Sequence, residues 1–116
     1  MDLINKVYNF AKSYPLDKFI REVQVACGAK VDGKAGSETL SKTVTVSRNQ
    51  NKKHPVVKAI QKRLYALGYT TVGTADGSAG SKFEKAVKAF QADHGRRSDG
   101  VVTAKQITWK KLLGME

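Results

Sequence analysis

Val87-Lys88-Ala89-Phe90-Gln91, followed by Gly95 and then Asp99-Gly100, is the stretch from which the rest of the chain can be read. Thirty residues earlier stands Val57-Lys58-Ala59-Ile60-Gln61, the same pattern with Ile for Phe. Sixty-seven residues earlier stands Ile20-Arg21-Glu22-Val23-Gln24, and Gln24, Gly28, Asp32 and Gly33 precede Gln91, Gly95, Asp99 and Gly100 by that same interval. The middle copy keeps Gly68 and Asp76-Gly77, with seven extra residues between its Gln and its Asp. One unit therefore occurs three times: an apolar-faced helix, a glycine, then an Asp-Gly turn leading into the next helix. Repetition of a supersecondary unit constrains the fold more than any single short motif.

The 116 residues suffice for one compact domain, or one domain with an appendage. A hydrophobic content of 41% at periodic positions argues for a packed core rather than disorder. No apolar run approaches the roughly 18 residues that a membrane span needs. Residues 2–12 mix Asp2, Asn5, Lys6 and Asn9 into an amphipathic pattern rather than a secretory core. For a protein acting outside the cell, the export signal is then expected on another part of a longer chain. The single cysteine, Cys27, excludes an internal disulfide and reads as a small buried hydrophobe. The net charge of +11 is uneven, with no acidic residue between Glu38 and Asp76. That window holds Lys42, Arg48, Lys52, Lys53, Lys58, Lys62 and Arg63, a field that favours polyanionic partners.

Helical spacing of Leu3, Ile4, Val7, Phe10 and Ala11 predicts a helix over 2–12, closed by Pro15. Leu16, Phe19, Ile20, Val23 and Cys27 predict a second, over 16–27, stopped by Gly28. Asp32-Gly33 suits a turn, because Asp accepts local backbone N–H bonds and Gly tolerates positive φ. A short helix to about Lys42 follows, then an alternating, extended stretch from Thr43 to Ser47. The polar run Arg48–His54 is the best internal boundary, dividing residues 1–52 from 53–116. Pro55 opens the next helix, with Val57, Ile60, Leu64 and Leu67 as its buried stripe and Gly68 as its stop. Tyr69 to Ala75 reads as loop or short strand. Ser81 with Glu84, and Thr103 with Gln106, read as capping boxes for the last two helices. Trp109, Leu112 and Leu113 form the final apolar face. The expected class is all-α: short amphipathic helices crossing at large angles around a common core.

Leu67-Gly68-Tyr69, Asp76-Gly77-Ser78-Ala79-Gly80, Ala86-Val87-Lys88-Ala89-Phe90-Gln91, Gly95, Asp99-Gly100 and Thr108-Trp109-Lys110-Lys111-Leu112 occur in that order. This pattern resembles the peptidoglycan-binding domain of bacterial and phage cell-wall hydrolases, over about residues 55–113. The resemblance implies an orthogonal three-helix bundle, extended here by an N-terminal half-repeat of helices. Residues 16–46 look like that half-unit, an arrangement similar to the C-terminal regions of N-acetylmuramoyl-L-alanine amidases and endolysins. Phe83 stands where the family has Thr, and Thr103 where it has Gly.

Neither a metal site nor a cofactor is expected, since His54, His94 and Cys27 lie at no ligand spacing. The three Asp-Gly turns do not supply the alternating oxygen ligands of a calcium loop. No nucleophile–base pair and no carboxylate pair across a cleft suggests catalysis. The candidate ligand-binding residues are Tyr65, Tyr69, Asp76, Arg96, Arg97 and Lys105. A tyrosine offers a flat apolar face and a hydroxyl, and a guanidinium pairs with carboxylates such as those of stem peptides. The reading is a monomeric, non-catalytic peptidoglycan-binding module, secreted or phage-encoded, linked to a wall hydrolase. Its basic window would add attraction to anionic wall polymers. The alternative is a small basic nucleic-acid-binding domain presenting Lys58, Gln61, Lys62 and Arg63 from one helix. A module that binds an exposed peptide of another protein is a third option.

Overall fold

The computed structural model describes residues 13–116, so the helix expected over 2–12 lies outside the described residues. Among the described residues five α-helices follow one another: α1 (Leu16–Cys27), α2 (Ser37–Ser41), α3 (Val56–Ala66), α4 (Ser81–Asp93) and α5 (Ile107–Leu112), with a 3-10 turn at Thr70–Val72 between α3 and α4. Among the described residues there are no strands, only the isolated antiparallel bridges Val46–Val102 and Ser47–Gln50. The protein is all-helical in class, as the periodicity implies.

Helix α1 buries Phe19, Ile20, Val23 and Gln24 and packs on α3. Gly28 ends it at φ 77, where the left-handed turn lets the Ala29 N–H reach the Gln24 carbonyl at 2.9 Å. Pro15 is the cap residue of this helix, in extended conformation. The helix α3 buries Val56, Val57, Ile60, Gln61 and Leu64. Leu67 leaves the expected stripe and is 40% exposed. It lies past the last helical residue, where the chain turns at Gly68 (φ 101) and the Tyr69 N–H bonds back to Leu64 O at 2.9 Å.

The helix starts also differ from expectation. Ser81 is the first residue inside α4 rather than its cap; Gly80 precedes it in extended conformation and no side chain caps the helix. Glu84 instead reaches Arg48 at 3.4 Å. Gln106 caps α5 without a side-chain bond, so the Thr103–Gln106 box does not form either. The donors ahead of α5 are met from across the fold: Thr45 Oγ1 accepts the Ala104 N–H at 3.0 Å and Thr43 Oγ1 the Lys105 N–H at 2.9 Å. Helix α3 takes its cap from a histidine, as the Val56 N–H donates to His54 Nδ1 at 3.0 Å. Thr43–Ser47 is extended as expected, and Val46 exchanges two backbone bonds with Val102, at 3.0 and 2.9 Å.

One apolar cluster runs from Phe19 and Val23 of α1 through Ile60 and Leu64 of α3 and Phe83, Val87 and Phe90 of α4 to Trp109, Leu112 and Leu113. Trp109 is fully buried and its indole N–H donates to Val44 O at 2.8 Å. Arg63 Nε donates to Leu112 O at 2.9 Å with its guanidinium over the Phe19 ring, tying α1, α3 and the end of α5 together. Cys27 is half-buried against this cluster, and desolvation pushes its thiol up to about 11.

A buried glutamine holds each Asp-Gly turn. Gln24 Nε2 lies within 3.0 Å of Asp32 Oδ1, Lys34 O and Thr39 Oγ1, while its Oε1 accepts the Gly33 N–H at 3.0 Å. Gln91 repeats this with Asp99 Oδ1, Val101 O and Thr108 Oγ1, each at 3.0 Å, and with the Gly100 N–H at 3.0 Å. Gln61 bonds Asp76 Oδ1 and Ser78 O at 3.1 Å and accepts the Gly77 N–H at 2.9 Å. In all three copies the Asp Oδ1 also accepts the N–H two residues on, from Lys34, Ser78 or Val101. A glutamine amide suits this position because one side chain supplies both the donors and the acceptor that a buried turn leaves open.

Candidate ligand cavity at the second Asp-Gly loop

The two outer copies place a threonine hydroxyl beside the glutamine amide, whereas the middle copy places Phe83 seven positions after its Asp, where the first copy has Thr39. The Phe83 ring is buried in the core, so Gln61 keeps two acceptors for its amide where its counterparts have three. Next to this position opens a cavity of about 360 Å³ lined by Lys52, Gln61, Val72, Thr74, Asp76, Ser78, Gly80, Ser81, Lys82 and Phe83. Its apolar floor comes from Val72 and Phe83, both buried. The seven-residue insertion supplies Val72 through the 3-10 turn, which packs on both α3 and α4.

Charge around the cavity is mixed. The Ser78 N–H, then the Gln61 amide, holds the Asp76 carboxyl below its usual value, with Lys82 adding to the shift. Both of those bonds use Oδ1, and Asp76 Oδ2 takes no hydrogen bond among the described residues. Lys52 and Lys82 are exposed and form no ion pair among the described residues. The Lys52 backbone closes one side, its carbonyl accepting the Ala79 N–H at 2.8 Å. Two ammonium groups, one carboxylate oxygen, several hydroxyls and an apolar floor suit a ligand carrying carboxylates, amides and methyl groups.

Of the six sequence candidates, Asp76 lines this cavity and the other five do not. Tyr69 packs edge-on against Phe90, at 5.6 Å between ring centroids, and donates its hydroxyl to Asp93 Oδ2 at 2.8 Å. Desolvation, followed by that bond, pushes its phenol up to about 12. The His94 ring also packs on Phe90, tilted at 4.2 Å between centroids, with Nδ1 donating to Phe90 O. Arg96 and Arg97 follow in the exposed turn after α4. Tyr65 is half-buried against the core on α3. Lys105 is exposed beside Thr43, in a left-handed conformation with φ 65. Lys52, Thr74, Ser81 and Lys82 are the wall residues that repeat reading missed. The signal for the loop was present: Asp-Gly-x-Ala-Gly-Ser occurs at Asp32–Ser37 and again at Asp76–Ser81.

The helix suggested for nucleic-acid contact does not present its polar residues together. Gln61 is buried, Lys62 pairs with Glu22 at 2.8 Å, and Arg63 is bonded to Leu112 O, leaving Lys58 exposed.

An all-helical fold of repeated helix-and-turn units, with a polar cavity at one turn, is the class these observations define. Residues 53–112 match the family model described as "Putative peptidoglycan binding domain", and the chain belongs to that family. Searches of curated proteins and of solved structures each returned no match. Membership of this family associates the protein with the bacterial cell wall, and no helix among the described residues is long and apolar enough to cross a membrane.

Proposed function

We propose that this chain is a non-catalytic, monomeric module that anchors a linked cell-wall hydrolase, such as an N-acetylmuramoyl-L-alanine amidase or an endolysin, to peptidoglycan. The observation that carries the reading is the position of the cavity. Every residue lining it except Lys52 falls within the stretch that matches the family. Helices α3, α4 and α5 of residues 53–116 would form the orthogonal three-helix bundle of the binding unit. Residues 1–52 would be its degenerate N-terminal half-repeat. Asp76 is assigned to the principal contact, with Lys52 and Lys82 beside it. Tyr69, Arg96 and Arg97, around the C-terminal end of α4, extend the docking surface, and Tyr65 and Lys105 complete the set. Tethering raises the local concentration of a linked enzyme on its polymer without touching the scissile bond. The module acts at the cell wall, whether secreted or phage-encoded, and the basic window adds salt-sensitive attraction to anionic wall polymers.

Co-sedimentation with purified, teichoic-acid-free peptidoglycan at low and high salt tests this, with duplex DNA as competitor. Pelleting that persists at high salt and resists DNA is expected. Loss of all pelleting at moderate salt, or full displacement by DNA, would overturn the proposal in favour of a polyanion binder.

A further inference from the structure

We propose that the first Asp-Gly loop, residues 32–39, is a second cradle that holds an extended stretch of peptidoglycan stem peptide against the backbone of Ala35. This rests on the reading that the second-loop cavity binds the same polymer.

The first and second loops are the same object built twice. Asp32, Gly33, Ala35, Gly36 and Ser37 recur as Asp76, Gly77, Ala79, Gly80 and Ser81, held by equivalent Gln–Asp–Gly bonds. The first loop also opens a cavity, of about 270 Å³, whose walls include Lys30, Asp32, Lys34, Ser37, Glu38 and Thr39. It lies outside residues 53–112, the stretch that the family match covers.

The three copies differ at the backbone three residues after the Asp. In the third, Val102 exchanges two hydrogen bonds with the extended segment at Val46. In the second, the Ala79 N–H donates to the Lys52 carbonyl. In the first, the Ala35 N–H has no acceptor among the described residues. The two filled copies identify the chemistry that this N–H takes, a backbone carbonyl, and the third copy shows it supplied by an extended segment laid along the loop. The third turn is sealed by the chain itself, and the first is left open.

The charges fit a peptide that carries carboxylates. Lys30 and Lys34 are exposed and form no ion pair among the described residues. The neighbouring acids are engaged: Glu38 Oε2 accepts the Lys30 N–H at 2.8 Å, and Asp32 Oδ1 accepts from Lys34 and Gln24. The first two loops thus each set two ammonium groups without an ion pair among the described residues beside one turn aspartate: Lys30 and Lys34 at the first, Lys52 and Lys82 at the second. A single chain would engage two stem peptides of one polymer, gaining avidity.

The test uses the full chain and two soluble probes, a disaccharide-tetrapeptide from muramidase-digested wall and a glycan strand stripped of peptide. Backbone amide shifts in NMR are expected at Ala35 and Gly36, as well as at Ser78–Lys82, with the peptide-bearing probe and not at Ala35 with bare glycan. Ser37→Trp fills the first cavity and Ser81→Trp the second, at exposed positions where circular dichroism should report an unchanged fold. Each is expected to remove the shifts of its own loop only, and Ser37→Trp to lower affinity for intact wall about ten- to a hundredfold. Shifts confined to the second loop, with Ser37→Trp pelleting like the parent, overturn the second cradle and leave the anchoring module intact. Equal shifts at Ala35 from bare glycan overturn the peptide assignment. If the parent chain does not pellet with wall at all, the module reading itself falls.

Discussion

Three buried glutamines, at 1, 2 and 3% exposure, hold this protein's turns at the residue scale. Replacing Gln91 by Leu keeps the bulk but strands the Gly100 N–H, the Val101 carbonyl and the Thr108 hydroxyl. Leaving such groups buried and unpaired should cost about 2–4 kcal/mol, read from urea unfolding. Gln61→Leu should cost less, because the middle copy lacks the hydroxyl partner. Restoring that hydroxyl with Phe83→Thr should still destabilise. Losing a buried phenyl costs about 3–5 kcal/mol, and one regained hydrogen bond returns about 1 kcal/mol. Tyr69 gives a pH signature. Its phenol is pushed up to about 12 by desolvation and by its bond to Asp93. A group raised above its unfolded value contributes fully below about pH 10 and loses that contribution as pH rises through 12. The stability gap between the parent and Tyr69→Phe should therefore be flat from pH 6 to 9 and close above 10. An ultraviolet phenolate titration should show Tyr14 and Tyr69 both ionising late in the parent, and the Tyr69 contribution to that late phase missing from the variant.

At the scale of elements, the segment Thr43–Ser47 does work that no helix does. It accepts the indole N–H of Trp109, pairs with Val102, and caps the two amides ahead of α5. This explains how a helix of six residues holds its place with no side-chain cap of its own. Thr43→Val together with Thr45→Val removes both acceptors while keeping β-branched bulk. The pair should cost about 2–4 kcal/mol in chemical denaturation, since two amides are left open and the Thr43–Leu40 bond is lost as well. Ser41→Ala, which removes an exposed hydroxyl bonded within α2, should change stability by less than about 0.5 kcal/mol. Equal effects from the two changes would show that the extended segment does not hold α5.

For the whole molecule, the continuous apolar cluster is the governing fact. It joins α1 to α5 without a break, so the apolar interior is not divided at the boundary expected near residue 52. Unfolding should be a single cooperative transition. Trp109 fluorescence reports the C-terminal half, and the reactivity of the half-buried Cys27 thiol reports α1. The two curves in urea should coincide. Release of Cys27 at clearly lower denaturant would show that the N-terminal unit melts by itself.

The sequence by itself determined the helices and the glycine stops after α1 and α3. The 3.6-residue spacing of Phe19, Ile20 and Val23, or of Phe83, Val87 and Phe90, is a local signal, and Gly28 and Gly68 act on their own φ angles. It also determined the family, through the motifs from Leu67 to Leu112 that occur in the family's order. Only the tertiary structure decided what each copy of the turn became. Nothing within three residues of Val102, Ala79 or Ala35 says that Val102 is sealed by Val46, Ala79 half-closed by Lys52 and Ala35 left open. Those outcomes, like the threonine caps of α5 that took the place of its expected capping box, depend on contacts between residues 27 to 62 positions apart. Long-range packing assigns such partners because a buried N–H takes whichever acceptor the completed fold brings to it.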